Sequence, residues 1–140
     1  MATSYERVYD RFLNRTTDFN LGDLDDHTLG EMLKSWLHSA IVRTRTSSDL
    51  TARDDVTEVF SNDLSDLDIE LLAMGMTLAW LEPTINSTEL TLQFIGGKEE
   101  KYYSQANHLA ELCELHNKTK VEMQKLYRDS TYIKNSYFDD

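Results

Sequence analysis

The stretch from Asp66 to Glu82, DLDIELLAMGMTLAWLE, constrains this chain more than any other. Leu67, Ile69, Leu71, Leu72, Ala73, Met74, Met76, Leu78, Ala79, Trp80 and Leu81 leave almost no polar stripe. A helix apolar nearly all round belongs inside a domain. Ser65 or Asp66 is placed to cap its N-terminus, and Asp68 and Glu70 lie where the helix dipole favours negative charge. Pro83 is expected to end it, because proline disfavours helical geometry in the preceding residue. Gly75 costs the helix about 1 kcal/mol relative to alanine, and the return is close approach of a second helix. The run is too short, and too charged at its start, to span a bilayer. The expectation is a buried core helix and no membrane.

The rest of the chain has to cover that helix. Ser4 can cap a first helix carrying Tyr5, Val8, Tyr9, Phe12 and Leu13 at helical spacing. Thr16 to Gly22 reads as a break. Asp25 or Asp26 then caps a second helix with the stripe Leu29, Met32, Leu33, Trp36, Leu37, Ala40 and Ile41, and Arg43 and Arg45 stand near its end. The polar segment Thr44 to Asp63 contains VTEVF, residues 56–60, whose alternation fits a short strand. No convincing second strand is visible in the sequence. Because an unpaired strand exposes its backbone groups, a partner subunit or an extended arm is the expected destination.

Beyond Pro83, Asn86 with Glu89 suggests a capped short helix to about Phe94, while the alternation of Leu90, Leu92 and Phe94 fits a strand. Gly96-Gly97 is a turn, and no phosphate-loop pattern surrounds it. Glu99 to about Tyr132 reads as one helix, on the order of 45 Å long at 1.5 Å per residue. Its apolar face carries Tyr102, Ala106, Leu109 and Cys113, broadened by Leu112, Leu115, Met123 and Leu126. That length exceeds the diameter of such a domain, so its end is expected to project or to pack on a neighbour. Tyr132, Ile133, Tyr137 and Phe138 near the terminus are the residues expected to dock. The fold class is mainly α: a small helical bundle with a long C-terminal helix and a short strand or extended arm. It forms one domain over 1–140, with 130–140 as a docking tail.

Charge narrows the partners. The net charge is −11, and between Asp49 and Glu89 ten acids stand against a single base, Arg53. An acidic midsection repels phosphate, which disfavours ordinary nucleic-acid binding. It is either a solubilising face or a surface meant to face DNA without holding it. Cys113 is the sole cysteine, which leaves no intramolecular disulfide or cysteine-based zinc site and points to a reducing cytoplasm. The opening MATSYERVYDRF has no apolar core of a secretory signal.

No catalytic constellation emerges. His108, Glu111, Cys113 and His116 share the long helix, but His108 and His116 are eight residues apart, about 12 Å along the axis. That is too far for one ion. His27 and His38 converge on nothing visible, and Asp25-Asp26 and Asp54-Asp55 suit caps and loops better than acid–base work. No enzyme activity, cofactor or metal is expected.

A resemblance goes further. LLAMGMTLAWLEPTINS (71–87), FIGGKEEKYYSQANHLAELCEL (94–115), YERVYDRFLNR (5–15) and TLGEMLKSWLHSAI (28–41) resemble small acidic proteins of tailed-phage and prophage head–tail modules. The family implied is the head–tail connector, also called adaptor or head-completion protein. The resemblance implies a virion protein of the neck, made in the bacterial host cytoplasm, that assembles as a homo-oligomeric ring, usually a dodecamer. It sits beneath the portal protein, docks there through its C-terminal region and presents a platform to the next neck or tail protein. Double-stranded DNA passes through the ring without tight binding. On that picture Asp49, Asp54, Asp55, Glu58 and Asp63 are the candidate channel-facing acids, and Tyr132, Ile133, Tyr137 and Phe138 the candidate portal-docking residues. Another neck or tail-completion protein, and an acidic DNA-mimic inhibitor, are the alternative readings.

Overall fold

A computed structural model describes residues 2–15, 25–46, 49–95 and 99–138, with the side chains at 91, 93–95, 99–102, 105 and 130–138 outside that description. The breaks expected at Thr16 to Gly22 and at Gly96-Gly97 lie outside the described residues. In chain order the elements are β1 (Thr3–Ser4), α1 (Tyr5–Arg15), α2 (Asp26–Arg43), β2 (Arg53–Asp54), β3 (Val59–Phe60), α3 (Asp66–Ile95) and α4 (Glu99–Phe138). The protein is a mainly helical bundle with a small three-stranded antiparallel sheet.

α3 is the centre, for the reason its composition suggests. Every residue from Leu71 to Ala79 is buried. One side, Ile69, Leu72, Ala73 and Met76, joins Tyr5, Val8, Tyr9 and Phe12 of α1 and Leu33, Leu37 and Ala40 of α2 in one core, with Leu13, Leu29, Trp36, Ile41 and Trp80 packed at its margin. Leu71, Met74, Leu78 and Leu81, also buried, recur at intervals of three and four, and α4 packs on α3 with Leu112 and Thr119 buried. A helix with partners on both sides has no use for a polar stripe. At Gly75 the end of α2 comes closest: a Cβ there would stand 3.0 Å from the Ala40 Cβ and 2.5 Å from the Thr44 Oγ1.

The caps are local. Asp25 accepts from the Thr28 N–H at 2.9 Å and starts α2, Ser65 accepts from the Asp68 N–H at 3.1 Å and starts α3, and the Ser4 hydroxyl oxygen accepts from the Glu6 N–H at 3.3 Å. Each satisfies a donor that the first turn of a helix leaves unpaired.

Three expectations are corrected. The first is that Pro83 ends the central helix; α3 instead runs 30 residues through it to Ile95. Pro83 itself is exposed; the bond it cannot donate is the one to the carbonyl of Ala79, and the packing of α3 against its neighbours on both sides carries the helix through. Downstream, the Thr88 hydroxyl donates to the Thr84 carbonyl at 2.8 Å. The second follows from the first: Asn86 to Phe94 is neither a separate capped helix nor a strand, but the last turns of α3. The third concerns Val56 to Phe60. Its strand is confined to Val59–Phe60, and its partners lie within the chain: β3 is the middle strand, with Phe60 opposite Thr3 and Arg53, and Val59 opposite Ser4 and Asp54. Two-residue strands carry too little alternation to be seen in a sequence.

α4 spans 40 residues and passes Tyr132, where the sequence suggested an end. At 1.5 Å per residue it is about 60 Å long.

Candidate functional site

Three ionic junctions hold the elements together, and each takes up acids of the midsection. Asp55, in the turn between β2 and β3, accepts from the Tyr5 hydroxyl at 2.5 Å, from the Arg53 Nε at 3.3 Å and meets the His38 Nε2 at 3.1 Å. The Lys34 ammonium donates to the Asp55 carbonyl at 3.0 Å. The hydrogen bonds from Tyr5 and His38 lower the Asp55 carboxyl to about 2 from its ordinary 3.8, the charges of His38 and Arg53 adding to them. Burial, with the Asp55 carboxylate behind it, pushes the Tyr5 hydroxyl well above the usual phenol range. Tyr5 opens α1 and His38 lies on α2, so Asp55 joins two helices to the sheet. Asp55 lies in none of the three clefts described below, and the arrangement serves as a tie.

At the second junction Glu70 of α3 accepts from Arg11 and from Arg15, the latter at 2.7 Å, and Arg15 reaches Glu122 of α4 at 3.6 Å. Arg7 faces Asp66 at 3.6 Å. At the third, Glu82 of α3 accepts both terminal nitrogens of Arg43, one of them at 3.1 Å, and meets the His116 Nε2 of α4 at 3.4 Å. The Arg43 hydrogen bond is the main reason the Glu82 carboxyl is lowered, with His116 assisting against partial burial. One carboxylate thus joins α2, α3 and α4.

Beside this third junction opens a cleft of about 550 Å³ between the end of α2, α3 and α4. Leu71, Leu78, Met123, Gln124 and Tyr127 line it beside Glu82 and His116, and its basic rim is Arg45 and Lys120 beside Arg43. A smaller groove of about 360 Å³ lies on the other side of Glu82 and His116, against Cys113 and Asn117, and another of about 400 Å³ runs between α1 and the start of α3.

The five acids read as channel-facing lie in one segment but do different jobs. Asp49 accepts from the Thr51 N–H at 2.9 Å and its hydroxyl at 2.6 Å. Asp54 accepts from the Val56 N–H at 2.9 Å and the Thr57 N–H at 3.3 Å, which closes the turn. Asp55 is the tie described above. Glu58 occupies the left-handed region with φ 55°, and its carbonyl accepts from the Tyr5 N–H at 2.9 Å. Asp63 is exposed. The side chains of Tyr132, Ile133, Tyr137 and Phe138 lie outside the described ones.

His108 and Glu111 are exposed, Cys113 is half-buried and His116 belongs to Glu82. Among the described residues no three His, Cys, Asp or Glu side chains come together as they would around an ion, and no helix is long and apolar enough to cross a membrane. His38, which has no visible partner in the sequence, meets Asp55. One signal was present: Arg7, Arg11 and Arg15 recur every four residues, a basic stripe on α1 that faces Asp66 and Glu70. The Asp55 tie carries no comparable signal, because its partners stand 50 and 17 residues away. No family model matches this chain, and neither a curated protein nor a solved structure does.

Proposed function

We propose that this protein is the ring-forming subunit of a phage head–tail connector, a structural virion protein between the portal and the next neck or tail protein. The observation that carries the reading is α4. A helix of 40 residues, about 60 Å long, on a domain of 140 residues offers more surface than its own bundle covers. Subunits of a ring use such an element to reach neighbours above, below and beside them. The resemblance of the helical segments to head–tail proteins supports the same assignment, and no enzyme chemistry enters it.

Double-stranded DNA would pass through the ring along acidic walls, which make no lasting phosphate contacts. Asp49, Asp54, Asp55, Glu58 and Asp63 are the wall candidates. Docking on the portal through Tyr132, Ile133, Tyr137 and Phe138 belongs to this proposal.

The test is co-purification with the portal protein of the same genome, followed by electron microscopy of the complex. The expected result is a ring seated on the portal. A protein that stays monomeric and ignores the portal, but inhibits a DNA-binding enzyme, would replace the reading with the DNA-mimic one. Rings that bind a tail protein and not the portal would make it a tail-completion protein.

A further inference from the structure

The cleft beside Glu82 is the feature that the three ionic junctions leave unused. Met123 is half-buried in its wall above the buried Leu71 and Leu78, with Gln124 and Tyr127 beside it, while Arg45 and Lys120 on its rim are exposed and have no ionic partner among the described residues. Arg43 is spent on Glu82. The rim is therefore a local excess of positive charge on a chain of net charge −11, beside a cleft of about 550 Å³.

The sequence contains one segment of matching chemistry near such a helix end: Tyr137, Phe138, Asp139 and Asp140, two aromatic rings followed by two carboxylates. We propose that this segment of one copy occupies the cleft of a second copy. The carboxylates would meet Arg45 and Lys120, and the rings would lie in the cleft against Met123. The segment cannot serve its own cleft. α4 is continuous to Phe138, so residue 137 stands about 15 Å farther along the axis than Tyr127, which borders the cleft. Two more residues reach at most about 7 Å.

A contact between a tail and a cleft is heterologous, and repeated heterologous contacts give a closed ring when the rotation closes and a filament when it does not. One cleft of this size makes a weak contact, but a ring repeats it at every subunit and gains from linkage. The proposal deepens the connector reading by naming the contact between copies, and it rests on that reading for closure into a ring. It leaves Tyr132 and Ile133 of the four tail residues to the portal.

The experiment is sedimentation velocity on the full chain over a range of concentrations at low and moderate salt. The wild type should associate as concentration rises. Arg45→Glu with Lys120→Glu should weaken association about tenfold or more at low salt, and Asp139→Lys with Asp140→Lys should do the same, since like charges then face each other. All four changes in one chain, or a mixture of the two reversed proteins, should restore it. A labelled peptide of residues 132–140 should bind the wild-type protein and not the Arg45→Glu, Lys120→Glu variant. Arg45 and Lys120 are exposed, and unchanged thermal melts verify that the variants fold.

Association that ignores the cleft charges, or reversal without rescue, would overturn the proposal. So would an Asp139→Lys, Asp140→Lys variant that assembles normally and loses only the portal, which would hand the whole tail to that partner. If tail-in-cleft association is found and the portal is not bound, the contact stands and the connector reading falls.

Discussion

Gly75 is where two helices come closest, and replacing it sets two calculable effects against each other. In an ordinary helix interior Gly→Ala stabilises by about 1 kcal/mol. Here the new Cβ would stand 2.5 Å from the Thr44 Oγ1, 3.0 Å from the Ala40 Cβ and 3.3 Å from the Ala40 Cα. The Ala40 atoms are fixed, because the Thr44 N–H donates to the Ala40 carbonyl at 2.9 Å and holds the end of α2 in place. Thr44 itself is buried, so its hydroxyl has little room to swing away. Forcing a methyl group into packing this close costs about 1–3 kcal/mol. The net expectation for Gly75→Ala is a loss of up to about 2 kcal/mol after the propensity gain is subtracted.

Urea unfolding followed by far-UV circular dichroism would read this as a lower midpoint at constant slope. Thr44→Ala gives the internal control. Among the described residues its buried hydroxyl has no hydrogen-bond partner, so removing it sacrifices no such bond there and takes away the nearest obstacle. The double variant should recover part of the loss, a coupling of about 0.5–2 kcal/mol. Gly75→Ala more stable than wild type by the full helix-propensity gain of about 1 kcal/mol, or strict additivity with Thr44→Ala, would refute the close approach.

Phe60→Ala should cost about 3–5 kcal/mol, as a fully buried large-to-small change whose ring packs 4.7 Å from that of Tyr5; a midpoint shift worth under about 1 kcal/mol would remove β3 from the core. Asp55 titrates in the folded protein at about 2 rather than 3.8, so its ionised form favours the fold. That contribution is present above pH 3.8 and is lost as pH falls toward about 2, and Asp55→Asn should flatten that part of the stability–pH curve. Neutralising Asp63 alone, to Asn, should change stability by less than about 0.5 kcal/mol, and assembled rings carrying it should retain more DNA at low salt if it faces the channel. Neutralising Asp49, Asp54 and Asp55 together should weaken the fold as well, since they hold the turns at 49–57, so thermal melts must accompany any DNA-retention assay on them.

What the sequence determined by itself was the part of the structure with a period. Ile69 to Leu81 is apolar on all sides, and burial on two faces was the arrangement left to such a helix. The stripe from Leu29 to Ile41 announced α2, each cap was narrowed to two neighbours of which the fold uses Asp25 and Ser65, and Gly75 announced a crossing whose partner proved to be Ala40. These features depend on neighbours three and four residues away, so they are written locally. Tertiary structure decided the rest. Pro83 lies inside α3 because the helix packs on both sides, which outweighs one missing bond and which the sequence around it does not record. Thr3–Ser4 pairs with Val59–Phe60 across more than fifty residues, and strands this short leave no alternation to read. Asp55 became a tie rather than a free surface acid because the fold brought Tyr5 and His38 to it. The basic rim at Arg45 and Lys120 was equally invisible: it exists where the end of α2 meets the middle of α4, and each of those cations in isolation is an ordinary solvated charge.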